Sequence, residues 1–181
     1  MHHDADDHVG LAYGSVRVVD SDPAWPEIFT NLAGDLRQAL GSRAAGIEHV
    51  GSTAVPGLAA KPIIDIAVLL APHAAPADVI SALESAGYRF RGDKGDAGGL
   101  LFVLEDRPAR RVAHVHAVAD VSQWQRYLAV RDRLRSDSTA RAAYTRLKRT
   151  LAALHPDDRQ SYTAAKASFV AALAAGPPMR P

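Results

Sequence analysis

The chain has 181 residues, of which 48% are hydrophobic and 23% charged, which suits one globular domain with a sizeable core. It contains no cysteine, so disulfides and thiolate metal sites are excluded. No apolar run approaches the length of a membrane span, and the N-terminal segment is polar and acidic rather than a signal peptide. We therefore expect a cytoplasmic protein without a membrane partner.

The formal net charge of +1 is unevenly distributed along the chain. Residues 1–106 contain 7 Lys/Arg against 15 Asp/Glu, a net charge of −8, whereas residues 107–150 contain 11 against 3, a net charge of +8. A basic segment packed beside an acidic one could supply phosphate ligands. A solvated, arginine-rich helical surface would explain the same distribution.

Hydrophobic periodicity and turn residues predict the elements of the N-terminal half. In chain order these are a loose tail over 1–14, a short strand at Val16–Val19, a helix starting at Asp22-Pro23 and ending at Gly41, a strand at Gly46–Val50, a loop over 54–61, a strand at Ile63–Leu70 and a helix at Pro76–Ala86. The strand Ile63–Leu70 is almost continuously apolar, which predicts that both of its faces are covered.

The later part of the chain changes from strands to helices after Asp120. The predicted elements are strands at Tyr88–Arg91, Leu100–Glu105 and Arg111–Val118, a glycine-rich turn at Asp93–Gly99, and three helices marked by Trp124–Leu134, Ala140–Leu154 and Asp157–Leu173. The predicted fold class is α+β, with a mixed sheet of about five strands flanked by helices and a helical C-terminal layer. We predict one domain over 15–176, with its sheet in 15–119 and its helical part in 120–176, and a tail over 177–181.

The most informative stretch is His49–Leu70, which reads HVGSTAVPGLAAKPIIDIAVLL. It contains a Gly-Ser turn, a loop with Pro and Gly, and Asp65 inside an apolar run. Burying a carboxylate in such a run is costly unless a cation, a metal or a ligand pairs with it. Alternatively, Asp65 caps a loop or pairs with Lys61.

Several motifs along the chain resemble those of one protein family. They are Val16–Glu27 (VRVVDSDPAWPE), Glu48–Pro62 (EHVGSTAVPGLAAKP), Ile63–Ile66 (IIDI), His114–His116 (HVH), Arg131-Asp132, Tyr144–Lys148, Pro156–Asp158 and Tyr162–Lys166. Together they resemble the GrpB family, a group related to nucleotidyltransferases. The resemblance implies a nucleotidyltransferase-like fold.

The resemblance also implies roles for the Gly-Ser turn and the acidic strand. Gly51, Ser52 and Thr53 would hold nucleotide phosphates with backbone N–H groups and hydroxyls, and Asp65 would bind Mg²⁺. Nucleotidyltransferases have a second acid two residues later, on the same strand face, where this chain has Ala67. The loss of that carboxylate weakens the case for two-metal nucleotidyl transfer.

A second candidate cluster is the pair His114 and His116, which share one strand face at positions i and i+2. Beside Asp65 they could perform acid–base chemistry, and Asp65 with His116 could bind a metal. Alternatively, both histidines are structural and donate to backbone carbonyls. His49 precedes the Gly-Ser turn and is expected to orient it.

Cations and tyrosines complete the predicted site. Lys61, Arg131, Lys148 and Lys166 are candidate phosphate ligands, although each could also be a surface residue. Tyr144 and Tyr162 are assigned supporting roles.

These patterns leave three functional hypotheses. The first is a nucleotidyltransferase-like enzyme that binds a nucleotide or phosphorylated small molecule, with Mg²⁺-dependent nucleotidyl transfer as its most concrete form. The second is a metal-independent acid–base enzyme that uses Asp65 with His114 or His116 on a small metabolite. The third is a non-catalytic nucleotide- or coenzyme-binding module, which the resemblance also allows. A small-molecule ligand rather than a nucleic acid is the expected partner, and the sequence leaves the oligomeric state open.

Overall fold

A computed structural model describes residues 8–93 and 99–175. Its strands are β1 (Leu11–Ala12), β2 (Ala44–Val50), β3 (Ile64–Leu70), β4 (Arg89–Asp93), β5 (Leu100–Arg107) and β6 (Arg110–Val118). Its helices are α1 (Trp25–Leu40), α2 (Pro76–Ser85), α3 (Val121–Ser136), α4 (Ser138–Leu154), α5 (Arg159–Ala165) and α6 (Ala167–Ala175). The predicted α+β class with a mixed sheet is confirmed.

The sheet has the order β2-β3-β6-β5-β4, and β1 pairs with the start of β6. Strands β3 and β6 are parallel neighbours, whereas the pairs β2–β3, β5–β6 and β4–β5 are antiparallel. Helix α2 links β3 to β4 at the far edge, and the chain then returns through β5 to place β6 at the centre. Asp65 on β3 is therefore the direct neighbour of His114 on β6.

The two faces of the sheet pack against different helices. One face forms the main core with α1 and α2, where Ile64, Ile66 and Val115 are fully buried. The opposite face contacts α3, which in turn packs against α6. Side chains alternate along a strand, so Asp65 and Ala67 point to this second face.

The structure corrects several predicted boundaries. Residues 8–14 are not a loose tail, because Val9 is buried and β1 pairs with Arg110-Arg111. In Val16–Val19 only Val19 forms a bridge, to Ala60. The first helix starts at Trp25 rather than at Asp22-Pro23. The Asp22 carboxylate accepts a hydrogen bond from the Ala24 N–H at 2.9 Å, which precedes the first helical residue.

The last predicted helix is in fact two helices. The break falls at Lys166, between α5 and α6, so the predicted helix over Asp157–Leu173 is not continuous. Strands β5 and β6 extend beyond the predicted bounds, whereas β4 begins one residue later than predicted and ends two residues later. Most of the predicted turn Asp93–Gly99 and the tail 177–181 lie outside the described residues.

Candidate functional site

A cavity of about 820 Å³ lies between the second sheet face and the C-terminal helices. Polar and charged groups from both layers line it: Gly51, Ser52, Thr53, Lys61, Asp65, His114, His116, Gln123, Arg126, Tyr127, Tyr144, Lys148, Arg159, Tyr162, Thr163 and Lys166. Most of the residues predicted from the sequence are therefore brought together here, from segments more than a hundred positions apart.

The Gly-Ser turn approaches Asp65 so closely that only glycine fits at position 51. Gly51 has φ = 68°, and a Cβ atom there would lie 2.6 Å from Asp65 Oδ2 and 2.9 Å from Asp65 Cβ. Such contacts do not occur between real Cβ atoms, and a positive φ disfavours other residues. The glycine thus allows the turn to sit directly over the acid.

His49 supports the turn from the core side. Its Nε2 lies 3.0 Å from Thr53 Oγ1, and that hydroxyl is 3.4 Å from the Ile63 carbonyl. The ring also stacks on Phe29, with 4.7 Å between centroids. Burial lowers the pKa of His49 to about 4, against the opposing charge of Asp65, so the ring is neutral at neutral pH. His49 does not line the cavity, and its contacts suit a role in holding the turn.

Asp65 and the two histidines form a contact group on the cavity floor. Oδ1 of Asp65 lies 3.1 Å from His114 Nδ1 and 3.9 Å from His116 Nε2. Burial would raise the pKa of Asp65, but the hydrogen bonds and charges of the histidines hold it below its usual range. Burial lowers the pKa of His114 despite Asp65. His114 Nε2 is buried without a hydrogen-bond partner in the described structure.

Three lysines enter the cavity next to tyrosine rings. The Nζ atoms of Lys61 and Lys166 lie 4.5 and 5.1 Å from the centroid of Tyr162. Lys148 Nζ lies 4.4 Å from the centroid of Tyr144. Burial, together with mutual repulsion, lowers the pKa of Lys61 and of Lys148 to about 7, and burial lowers the pKa of Lys166 as well.

None of these lysines forms an ion pair within 4 Å among the described residues. The alternative that Lys61 pairs with Asp65 is therefore wrong. Lys148 Nζ instead hydrogen-bonds Ser52 Oγ at 2.9 Å and the Ala59 carbonyl.

Arg131 does not belong to the cavity, contrary to its prediction as a phosphate ligand. Its guanidinium contacts Glu48 Oε2 and Asp132 Oδ1 at 2.7 Å each and donates to the His49 carbonyl at 3.1 Å. Two carboxylates therefore satisfy its charge, and it fastens the end of β2 to α3. The cavity takes Arg126 and Arg159 instead.

Sequence reasoning also missed the apolar wall. Val130 and Leu134 from α3 and Val170 from α6 line the cavity. Their helical spacing is typical of buried faces. No local pattern indicates that these faces border a cavity rather than tightly packed side chains.

The donor set does not fit a two-carboxylate magnesium site. Mg²⁺ prefers oxygen ligands, and Asp65 is the only carboxylate among the cavity-lining residues of the described chain. Ala67 is fully buried and packs in a cluster with Val50 and Trp124. The position where nucleotidyltransferases have their second acid is therefore part of the hydrophobic core. Among the described residues, no cluster of three or more His, Cys, Asp or Glu side chains has an arrangement that could hold a metal ion.

Comparison with known proteins decides the family. The profile described as "GrpB protein" matches residues 15–175. This chain belongs to the GrpB family. A UPF0157 protein of Pseudomonas aeruginosa is 42% identical over 160 residues, which cover 87% of this chain and 66% of that relative. This GrpB-family chain therefore spans slightly less than two thirds of that relative. A dephospho-CoA kinase of Mycolicibacterium paratuberculosis is 33% identical over 86% of this chain but only 44% of the kinase.

Solved structures agree with the family and the fold. GrpB from Enterococcus faecalis superposes with a TM-score of 0.80 at 34% identity, covering 88% of this chain and 95% of that one. The Cid1 poly(U) polymerase bound to MgGTP gives a TM-score of 0.53 at 13% identity, covering 75% of this chain and 44% of Cid1. The second likeness concerns the fold alone, and it confirms the nucleotidyltransferase-like architecture. Within the described residues, no helix is both long and apolar enough to cross a membrane.

Proposed function

We propose that this GrpB-family protein binds a nucleotide or another phosphorylated small molecule in the cavity beside the Gly-Ser turn. The observation that supports this most directly is the charge of the cavity lining. Among the described residues it contains the cations Lys61, Arg126, Lys148, Arg159 and Lys166 but the single carboxylate of Asp65.

An excess of cations is costly in the absence of an anion where the cations are buried, as Lys148 is, or partly buried, as Lys61 and Lys166 are. The depressed pKa values of Lys61 and Lys148, about 7, express that cost, since burial and like charges disfavour the ammonium form. A phosphate group supplies several acceptor oxygens and compensating charge. Ser52 and Thr53 add hydroxyls at the same end of the cavity.

The apolar wall provides the other half of a ligand site. Val130, Leu134 and Val170 lie together with Tyr127 along the helical side of the cavity. Small-molecule sites typically combine such apolar surface with a few polar groups that fix orientation. A ligand with an anionic end and a ring system suits this division. The fold that this chain shares with a polymerase crystallised with MgGTP supports a nucleotide as the first class to test.

A thermal-shift screen tests the proposal, using nucleoside triphosphates, coenzyme A and pyrophosphate, each with and without Mg²⁺. A ligand at a hundredfold its dissociation constant stabilises the folded state by about 2.7 kcal/mol. For a chain of this size we expect a rise in Tm of roughly 5–11 °C. Lys166→Met should reduce the shift, whereas Arg146→Met, at an exposed residue of α4 outside the cavity, should retain it. No shift with any of the phosphorylated compounds would refute the proposal.

Nucleotidyl transfer is the second candidate, and the polymerase-like fold favours it. The donor set around Asp65 does not, because Ala67 provides no second carboxylate. Release of pyrophosphate from a nucleoside triphosphate in the presence of Mg²⁺ would establish this activity. Binding without release would leave the ligand-binding proposal intact, and the acid–base alternative with Asp65 and His114 or His116 would remain to be tested on the identified ligand.

A further inference from the structure

Ser52 and Lys148 make a contact that phosphate binding does not require. Ser52 faces the cavity directly after Gly51, and its Oγ lies 2.9 Å from Lys148 Nζ. The ring of Tyr144 lies beside the same amine, with its centroid 4.4 Å from Lys148 Nζ. The serine oxygen is thus in contact with an amine that helix α4 carries and a ring from the same helix packs against.

Lys148 is set up differently from an ordinary phosphate-binding lysine. Its side chain is 2% exposed, and Nζ is fixed in place by the Ala59 carbonyl. In the described chain it has no carboxylate within ion-pair distance, while Lys61, Lys166 and Asp65 act on it from longer range. A neutral amine in this position has two N–H bonds and one lone pair. One N–H satisfies Ala59, and the lone pair is left to accept from the Ser52 hydroxyl.

We propose that Ser52 and Lys148 form a nucleophile–base pair that cleaves carboxylic esters entering this cavity. A serine hydroxyl is a weak nucleophile unless an adjacent base removes its proton, and a buried neutral lysine is a known type of base for this purpose. This activity is separate from nucleotide binding, although both use the same cavity.

The step is balanced without a metal or a second reactant other than water. Ser52 Oγ attacks the carbonyl carbon while its proton moves to Lys148 Nζ. The carbon–oxygen bond to the leaving alcohol breaks, and the alkoxide takes that proton from Lys148. Water then attacks the carbonyl carbon of the acyl-serine while the neutral amine of Lys148 accepts a proton from it. The carbon–oxygen bond to Ser52 breaks, Ser52 Oγ takes that proton back from Lys148, and the products are the carboxylic acid and free Ser52. The nearby cations Lys61 and Lys166 favour the negative charge that develops on the carbonyl oxygen.

The chemistry of the pair favours carbon over phosphorus as the centre of attack. Phosphoryl transfer depends mainly on positioning and charge neutralisation, with little need for an activated nucleophile. Attack on a carbonyl depends directly on deprotonation of the hydroxyl, which is what the contact between Ser52 and Lys148 provides.

p-Nitrophenyl acetate is the probe that tests the pair. We expect release of p-nitrophenol with an acetyl group on Ser52, located by peptide mass spectrometry of the quenched wild-type protein. The rate should rise with pH through about 7 as Lys148 loses its proton. Ser52→Ala and Lys148→Arg should each lower the rate by a hundredfold or more, as is common for loss of a base or nucleophile. Ser42→Ala, at an exposed serine outside the cavity, is the matched control.

Acetylation confined to lysines, or a rate that survives Ser52→Ala, would overturn the pair. Mapping on the wild-type protein does not depend on the folding of any variant. The nucleotide thermal-shift screen is read separately on the same preparation. A shift without acetyl-Ser52 would refute the esterase pair and leave ligand binding standing, and acetyl-Ser52 without a shift would do the opposite.

Discussion

Removal of the Lys148 amine should change how the stability of the protein depends on pH. The ordinary pKa of this amine is 10.5, and burial lowers it to about 7 in the folded protein. Between these two values the unfolded chain binds one more proton than the folded one. The free energy of unfolding therefore rises with pH across this window, by up to about 1.4 kcal/mol per pH unit for one such group.

The magnitude follows from the width of the pH interval. From pH 7.5 to 9.5 the Lys148 contribution is about 2–3 kcal/mol, a value that allows for the partial deprotonation of the folded state at pH 7.5. Lys61 contributes in the same direction, since burial also lowers its pKa to about 7. Wild-type protein should therefore gain stability over this interval, and Lys148→Met should gain about 2–3 kcal/mol less than the wild type.

Urea unfolding at the two pH values, analysed by linear extrapolation, measures these gains. Lys148→Met removes the same hydrogen bonds at both pH values. Their contribution to the free energy of unfolding therefore cancels when the gains are compared. Arg146→Met, an exposed site on the same helix, should show the wild-type gain. If Lys148→Met and the wild type differ by less than about 1 kcal/mol in their gain, Lys148 is not a buried lysine with a depressed pKa, and the basis for its role as a base is lost.

Four further predictions concern the Gly-Ser turn, strand β3 and the histidines His49 and His114. Gly51→Ala should cost more stability in urea unfolding than Gly57→Ala by about 1–3 kcal/mol, because both glycines have positive φ but only position 51 lacks space for a Cβ. Ala67→Asp should destabilise by about 3 kcal/mol or more without creating a Mg²⁺ site, since position 67 is buried core; calorimetry showing Mg²⁺ binding by this variant would contradict the assignment. His49 should make stability fall as the pH drops from 6.5 towards 4, because the unfolded chain protonates first, and His49→Gln should show a shallower fall. His114→Asn should reduce ligand affinity in calorimetry while its melting temperature stays within a few degrees, and a large loss of stability with unchanged affinity would instead make His114 structural.

Several parts of the fold follow from local patterns in the sequence. The apolar run that became β3 predicted a strand covered on both faces, and it is an interior strand between β2 and β6. Asp120, Asp137 and Asp158 each accept a backbone N–H at the start of a helix, as N-cap residues do. Such features depend on residues that are close together in the sequence.

Other parts required partners distant in the chain. The two-residue strand β1 exists because the start of β6 has an unpaired edge beside it, and no local pattern in Leu11-Ala12 indicates that edge. The break at Lys166 divides a continuous helical pattern, although both Tyr162 and Lys166 line the cavity.

The candidate site shows the same division. The i, i+2 spacing of His114 and His116 determined that they share a face, and the Gly-Ser turn was identifiable from its motif. Only the parallel register of β3 and β6 put His114 against Asp65. The sequence could not distinguish Arg131, whose charge is satisfied by Glu48 and Asp132, from cations that face the cavity. A side chain's type is fixed by the sequence, but the neutralisation of its charge depends on neighbours that only the folded chain brings into contact.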